Sequence, residues 1–342
     1  MQIRSVGIDL GKTTFHLVAL GDNGKVLPKK KFTQKQLITF TANLQTSLIG
    51  MEACSGAHFL GRALRAQGHD VKLIPAQFVK PFVKSNKNDF IDAEAIAEAV
   101  ERHNMRFVPI KTDDQLDLQA LHRVRDRLIA RRTSVINQIR AFLLERGLVF
   151  AKSPIRLKQA LPELLENANE DLTSRMRNLV AMLWNEWKEL ELQIAEMNDE
   201  VERIASTDPA CVRLRQIPGI GPLVARAIVA SIGNGAAFQK GREFAAWMGL
   251  VPKQHSTGGK AKLYGISKRG NSYLRKILVH GARAIVLRSK RERIAMGSWM
   301  TALENRAPKN VLIIATANKL ARIAWAVLST GQDYRPFPNA AA

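Results

Sequence analysis

Apolar and polar positions alternate in two different ways along this chain. Up to about residue 76 the apolar runs are short. SVGIDLG, TTFHLVAL and KVLPKKKF are rich in β-formers and are linked by glycine-containing turns, with Asp22-Asn23-Gly24 between the second and third, so they predict three consecutive strands. A helix is expected over 36–44, and SLIGMEA and HDVKLIPA read as buried strands flanking a helix over 58–67. From Asp117 to Ser206 the period lengthens. Leu172, Met176, Leu179, Leu183, Trp187, Leu190, Ile194, Met197, Val201 and Ile204 advance in steps of three and four, which keeps one apolar seam along a long helix.

Three antiparallel strands followed by strand and helix alternation is the order of a ribonuclease-H-like α/β domain. The seam predicts a coiled coil or helical hairpin, its partner being a helix over 118–144 turned back through 147–162. Packing or dimerisation explains it better than a cofactor site. Past Pro209 a compact helical domain is expected. There Ile217-Pro218-Gly219-Ile220-Gly221 precedes the helical run PLVARAIVASIG, with a second helix starting near Phe238. Gly219 and Gly221 would let backbone N–H groups at a helix N-terminus approach a phosphate, as in a helix-hairpin-helix element; the plainer reading is a tight inter-helix turn. The fold class is thus α/β plus α. The expected domains are 1–115, a helical coiled-coil connector over 116–206, and a basic helical C-terminal domain over 207–342.

Charge changes the picture most. The 342 residues carry a formal net charge of +22, and residues 207–342 hold 22 Lys/Arg against 5 Asp/Glu. A surplus this one-sided points to a polyanionic partner, and to nucleic acid rather than a membrane surface. Cys54 and Cys211 are too few and too far apart for a disulfide framework or a cysteine-rich zinc site, which fits a reducing cytoplasm. The apolar runs near the C-terminus contain Lys319 and Arg322, and no membrane span is expected.

The stretch GIDLGKTTFH, residues 7–16, contains the end of a P-loop in Gly11-Lys12-Thr13, but the first glycine of that motif would have to stand at Val6. What remains is Asp9, at the end of an apolar strand, with Gly11 shaping the turn and Lys12 a candidate phosphate contact. Glu52 ends the strand SLIGMEA in the same way. Asp89 and Asp92 are three apart at a helix start and share a face. Singly, each has a plain explanation: a helix cap, a dipole partner, a solvated strand end. Together they match two hard cations about 4 Å apart, which need several carboxylate oxygens and leave positions open for phosphate. Magnesium is the implied metal, two ions per site. Glu94 and Glu98 drift off that face and read as surface residues.

The series Asp9, Glu52, Asp89, Asp92, the helical middle and the run GLVPKQHSTGGKAKLYGISKRGNSYLRKIL together resemble the DEDD-type insertion-sequence transposases related to the Piv/MooV DNA invertases. The resemblance covers nearly the whole chain. It implies an N-terminal domain like the Holliday-junction resolvase RuvC and a C-terminal transposase domain. It also implies a serine nucleophile that links covalently to DNA, for which Ser256 in HSTGGK is the match, with Thr257 as the neighbouring alternative. Lys260, Lys262, Lys268 and Arg269 would hold DNA or RNA phosphates beside it. The expected partners are donor and target DNA and a noncoding guide (bridge) RNA from the same element, with assembly as a homodimer or homotetramer. The leading expectation is a site-specific DNA recombinase.

A junction nuclease using the same carboxylates and water is the nearest alternative. An actin-like ATPase commonly needs a second Asp-x-Gly phosphate turn, and beside Asp9-Leu10-Gly11 this chain has only Asp22-Asn23-Gly24, which is already read as the turn between the second and third strands. A noncatalytic packaging protein explains the basic half and leaves the carboxylates without a role.

Overall fold

The computed structural model describes residues 3–84, 88–166 and 172–336, and the chain divides into two compact units, residues 1–116 and 117–342. Residues 337–342 of the expected C-terminal domain lie outside the described ones.

The first unit is built on β1 (Ile3–Leu10), β2 (Phe15–Gly21), β3 (Val26–Phe32), α1 (Gln34–Ala42), β4 (Leu48–Glu52), α2 (Ala57–Ala66), β5 (Asp70–Ile74), α3 (Ala76–Val79), a 3₁₀ turn over Lys80–Phe82, and α4 (Asp89–Val100). The sheet order is β3-β2-β1-β4-β5. β2 is antiparallel to both neighbours, whereas β1, β4 and β5 are parallel. This mixed α/β arrangement is consistent with a ribonuclease-H-like transposase domain.

Side-chain alternation gives each strand two jobs. Val6 and Ile8 of β1 join Leu17, Ile49 and Met51 in an apolar core with Leu37 of α1 and Leu60 and Leu64 of α2. The opposite face receives α4, where Val18 and Leu20 of β2 pack with Ala93 and Ala97. That approach is close because β1 offers only small residues there. A Cβ on Gly7 would lie 1.9 Å from the Ala93 carbonyl oxygen, and Ser5 Oγ donates to the Ala97 carbonyl at 3.0 Å.

The second unit begins with three helices around one core: α5 (Asp113–Leu144, its first residues in the first unit), α6 (Pro154–Glu166) and α7 (Ser174–Thr207). α5 and α7 are antiparallel, with Arg125 Nε donating to Asn198 Oδ1 at 2.6 Å and Arg131 Nε to Glu186 Oε1 at 2.7 Å. Much of the segment expected as a simple turn-back is helix α6, whose Leu157 and Leu161 are fully buried. The seam of α7 is rotated by one residue near its start. Val180 and Trp184 are buried while Leu179 is 41% exposed, an arrangement that sets the Trp184 and Trp187 rings edge to face at 5.2 Å.

The rest of this unit comprises α8 (Pro209–Arg215), α9 (Pro222–Ile232), α10 (Gly241–Trp247), a hairpin of β6 (Pro252–Thr257) and β7 (Lys260–Ile266), α11 (Ser272–Arg288), a 3₁₀ turn over Arg291–Arg293, α12 (Gly297–Glu304) and α13 (Lys309–Thr330). The six helices share one core. α13 is long and apolar enough to cross a membrane, but half of its most apolar window is buried inside this unit, and Leu312, Ala317, Leu320 and Ala324 are core residues.

Candidate active site

Parallel β1 and β4 end side by side, so Asp9 and Glu52 leave the same edge of the sheet. After Asp9 the chain turns sharply. Gly11 N–H donates to the Thr14 carbonyl at 3.0 Å, and a Cβ on Gly11 would stand 2.4 Å from that oxygen, so glycine is required here; Lys12 is exposed at the turn. Asp89 and Asp92 occupy the first turn of α4. The cap of that helix is Asn88, whose side chain accepts from Phe90 N–H at 2.9 Å. Asp89 is thereby released from the capping role that would have explained it away.

Asp9 and Glu52 both respond to neighbouring carboxylates. Burial pushes the Asp9 carboxyl above its ordinary value, and Asp92 and Asp89 push it further, against an opposing effect of His16 and the Leu10 backbone. Burial, then Asp9 and Asp92, likewise raise Glu52, with Lys80 opposing. Cys54, two residues beyond Glu52, has its thiol raised by burial and by the Glu52 and Asp9 charges. Glu94 pairs with Lys29 at 3.2 Å and Glu98 with Lys84, so both are occupied outside the cluster. Among the described residues no three His, Cys, Asp or Glu side chains are gathered closely enough to hold one ion. The donor set itself fits a hard divalent cation, since it is all oxygen and the charge of such an ion would offset the neighbours that raise Asp9 and Glu52.

His16 and Lys80 are not singled out by sequence pattern. Pairing of Asp9 with His16 across β1 and β2 is the signal that finds the first. The second follows the end of β5, the strand beside Glu52.

In the second unit Ser256 and Thr257 lie on a hairpin whose two strands are exposed almost throughout. Gly258 and Gly259, at φ +56° and +77°, form its two-residue turn, which needs left-handed backbone at both positions. Ser256 pairs with Ala261 and Thr257 with Lys260, so the two hydroxyls leave opposite faces. Gln254 Nε2 donates to Ser256 Oγ at 2.8 Å. Thr257 shares its face with His255, Lys260 and Lys262. On that face the His255 ring meets Tyr264 edge-on at 5.4 Å, and Lys262 sits 5.5 Å from the Tyr264 centroid.

Beyond the hairpin, Ser267 N–H donates to Val251 and Lys268 N–H to Gly249, and Arg275 holds the Arg269 carbonyl at 3.1 Å. Lys268 adopts φ +55° in this anchored loop, and its side chain and that of Arg269 are exposed. Gly219 has a packing reason to be glycine, because a Cβ there would strike Ile285 of α11 at 2.4 Å. Gly221 precedes α9 as its cap and meets no such neighbour.

An acidic sheet edge in one unit and a strongly basic second unit describe a protein that works on nucleic acid. Residues 6–146 match the model of the DEDD transposases of the IS110 type, and residues 211–296 that of the transposase IS116/IS110/IS902 family. A probable family 20 transposase of Pseudomonas aeruginosa is 42% identical over 98% of this chain and 100% of its own length. The transposase for insertion sequence element IS1111A of Coxiella burnetii is 41% identical over 97% and 92%. The pilin gene-inverting protein of Moraxella bovis is 25% identical over 97% of both. The chain belongs to the IS110/IS116/IS902 family of insertion-sequence transposases.

Proposed function

We propose that this transposase recombines DNA through a serine-linked intermediate, with Asp9, Glu52, Asp89 and Asp92 holding two Mg2+ ions. The supporting observation is that Asp9 and Glu52 end adjacent parallel strands, and that Asp89 and Asp92, in the first turn of α4, stand near enough to raise the Asp9 carboxyl. Bound there, the metal would supply positive charge to the phosphate oxygens and lower the pKa of a nucleophile. Ser256 Oγ attacks a DNA phosphorus, forming an O–P bond as the bond to one deoxyribose oxygen breaks. The serine proton leaves to solvent or a base, and the departing sugar oxygen takes one up. A hydroxyl of the partner strand then attacks the phosphoserine and restores the serine. Gln254 orients the Ser256 hydroxyl. Lys12, Lys268 and Arg269, with the backbone at Gly219 and Gly221, hold phosphates, and Lys260 and Lys262 hold others on the face of the hairpin opposite Ser256.

In this reading 1–115 is a RuvC-like catalytic domain, 116–206 a coiled-coil connector that helps form a homodimer or homotetramer, and 207–342 the transposase domain with a helix-hairpin-helix-like element. A noncoding guide RNA pairs with donor and target DNA. The basic surplus of the C-terminal part and the lack of a base-reading motif support that partner.

Ser256→Ala is expected to abolish a covalent protein–DNA adduct on a matched substrate. An undiminished adduct moves the nucleophile to Thr257 or elsewhere, and cleavage by the wild type without any adduct supports water attack in its place. Sequencing of RNA that copurifies with the full chain, followed by recombination on matched and mismatched DNA, tests the guide.

A further inference from the structure

The geometry points to His16 as the residue that positions Asp89 for metal binding. The inference rests on the carboxylate reading above and adds to it a side chain that is not itself a carboxylate ligand. Four observations converge on His16. It is paired with Asp9 on β1 and with Lys31 on β3, so its side chain leaves the sheet on the face that carries Asp9 and receives α4. Its Nδ1 stands 3.6 Å from Asp89 Oδ2, within ion-pair reach. Its ring meets the edge of Phe90, the residue after Asp89, at 4.8 Å and an interplanar angle of 78°. And its side chain is only 11% exposed, against 54% for that of Asp89.

The contrast in exposure carries the argument. Asp9, Glu52 and Asp92 are half-buried and confined by their elements, whereas Asp89 is exposed in the first turn of a helix. An exposed aspartate samples several rotamers and loses that freedom when it binds an ion. His16 cannot wander in the same way, because β2 is buried along its length and Phe90 closes on the ring. A fixed imidazole beside a mobile carboxylate restricts it to the side of α4 that faces Asp9. Groups that orient a ligating carboxylate typically govern metal affinity by about 10–100-fold.

The test is titration of the full-length protein with Mn2+ alone, followed by the electron paramagnetic resonance signal of the free ion, with thermal unfolding of each variant alongside. His16→Phe keeps an aromatic ring of similar size and removes both nitrogens; its Mn2+ dissociation constant is expected to rise by about 10–100-fold. His16→Gln retains a donor within reach of Asp89 and should fall between wild type and Phe at unchanged thermal stability; it decides the matter if the Phe variant does not fold. Wild-type affinity in a folded His16 variant, with binding lost in Asp9→Asn, overturns the role of His16 and leaves the carboxylate site standing. Wild-type affinity in Asp9→Asn as well refutes the carboxylate site, and the positioning role with it.

Discussion

Replacing Gly7 by alanine should separate the two halves of the carboxylate cluster. Gly7 lies one turn of the pleat before Asp9 on the β1 face that receives α4. An added Cβ would stand 1.9 Å from the Ala93 carbonyl oxygen, 2.5 Å from the Ala97 nitrogen and 3.0 Å from Ala97 Cβ. Carbon and carbonyl oxygen approach to about 3.3 Å at closest, so strand and helix must part by roughly 1.4 Å at this point. The two closest obstructing atoms are backbone, which no rotamer change can move aside. Overpacking of this kind costs about 1–3 kcal/mol, and a rigid obstruction belongs at the upper end.

The functional consequence follows from what the two elements carry. β1 holds Asp9 and α4 holds Asp89 and Asp92, and a displacement of about 1 Å in a reacting constellation can cost on the order of 10²-fold in rate. Gly50→Ala is the control. Its Cβ would meet Val100 Cβ at 2.9 Å, Ile96 Cγ2 at 3.0 Å and the Ile96 carbonyl oxygen at 3.2 Å, milder encroachments near the far end of α4. Urea denaturation should show a loss in both variants. An excision and rejoining assay should fall about 100-fold in Gly7→Ala and only a few-fold in Gly50→Ala. If Gly7→Ala keeps the wild-type urea midpoint and a rate within about twofold, the argument that α4 is seated by this glycine is wrong.

Two further outcomes are expected. A carboxyl with a raised pKa contributes stability that is present below its ordinary value, 3.8 for Asp9, and lost as pH rises through the raised one. In chelator, Asp9→Asn should therefore melt higher than wild type at neutral pH, the difference vanishing as pH falls through that window, while Mn2+ binding is lost; a variant that melts lower at neutral pH contradicts the repulsion. In the second unit, Arg226 is 5% exposed and pairs with Asp208 at 2.6 Å, and Asp208 also caps α8, so Arg226→Ala should cost about 3–5 kcal/mol in urea denaturation. A loss below about 1 kcal/mol would show that the Arg226–Asp208 pair is dispensable.

The strands and their order were legible because a sheet packed on both faces leaves short apolar runs with glycine turns between them. The sheet-edge location of Asp9 and Glu52 was legible for the same reason, each closing such a run. What could not be read was the third dimension of that face. Gly7 looks like any strand glycine until α4 is laid across it, and His16 looks like one polar residue in an apolar strand until the Gly11–Thr14 turn sets it opposite Asp9. In α7 the heptad-like steps were visible, and Trp187 is buried as they predict, but Val180 and Trp184 take the buried stripe from Leu179 near the start of the helix. Gly219 carried a phosphate-loop pattern whose need for glycine lies in contact with α11, more than sixty residues downstream.

Adjacency in sequence made Ser256 and Thr257 near-equivalent candidates, and a strand makes adjacent positions the most different. The hairpin sends Ser256 to the face of Gln254 and Thr257 to the face of His255, Lys260 and Lys262. An amide N–H on Ser256 Oγ satisfies one lone pair and stabilises negative charge developing there, at the cost of some ground-state nucleophilicity. Lysines beside Thr257 attract a phosphate, and their ammonium groups are flexible donors where Gln254 is already placed on Ser256. A duplex lying against one face of so thin a ribbon presents its phosphates to one hydroxyl and leaves the other turned away. Ser256→Ala and Thr257→Val are therefore not interchangeable probes: the first removes an oriented hydroxyl, the second a hydroxyl on the cationic face. A covalent adduct that survives one and not the other identifies the face on which the DNA lies as well as the atom that attacks it.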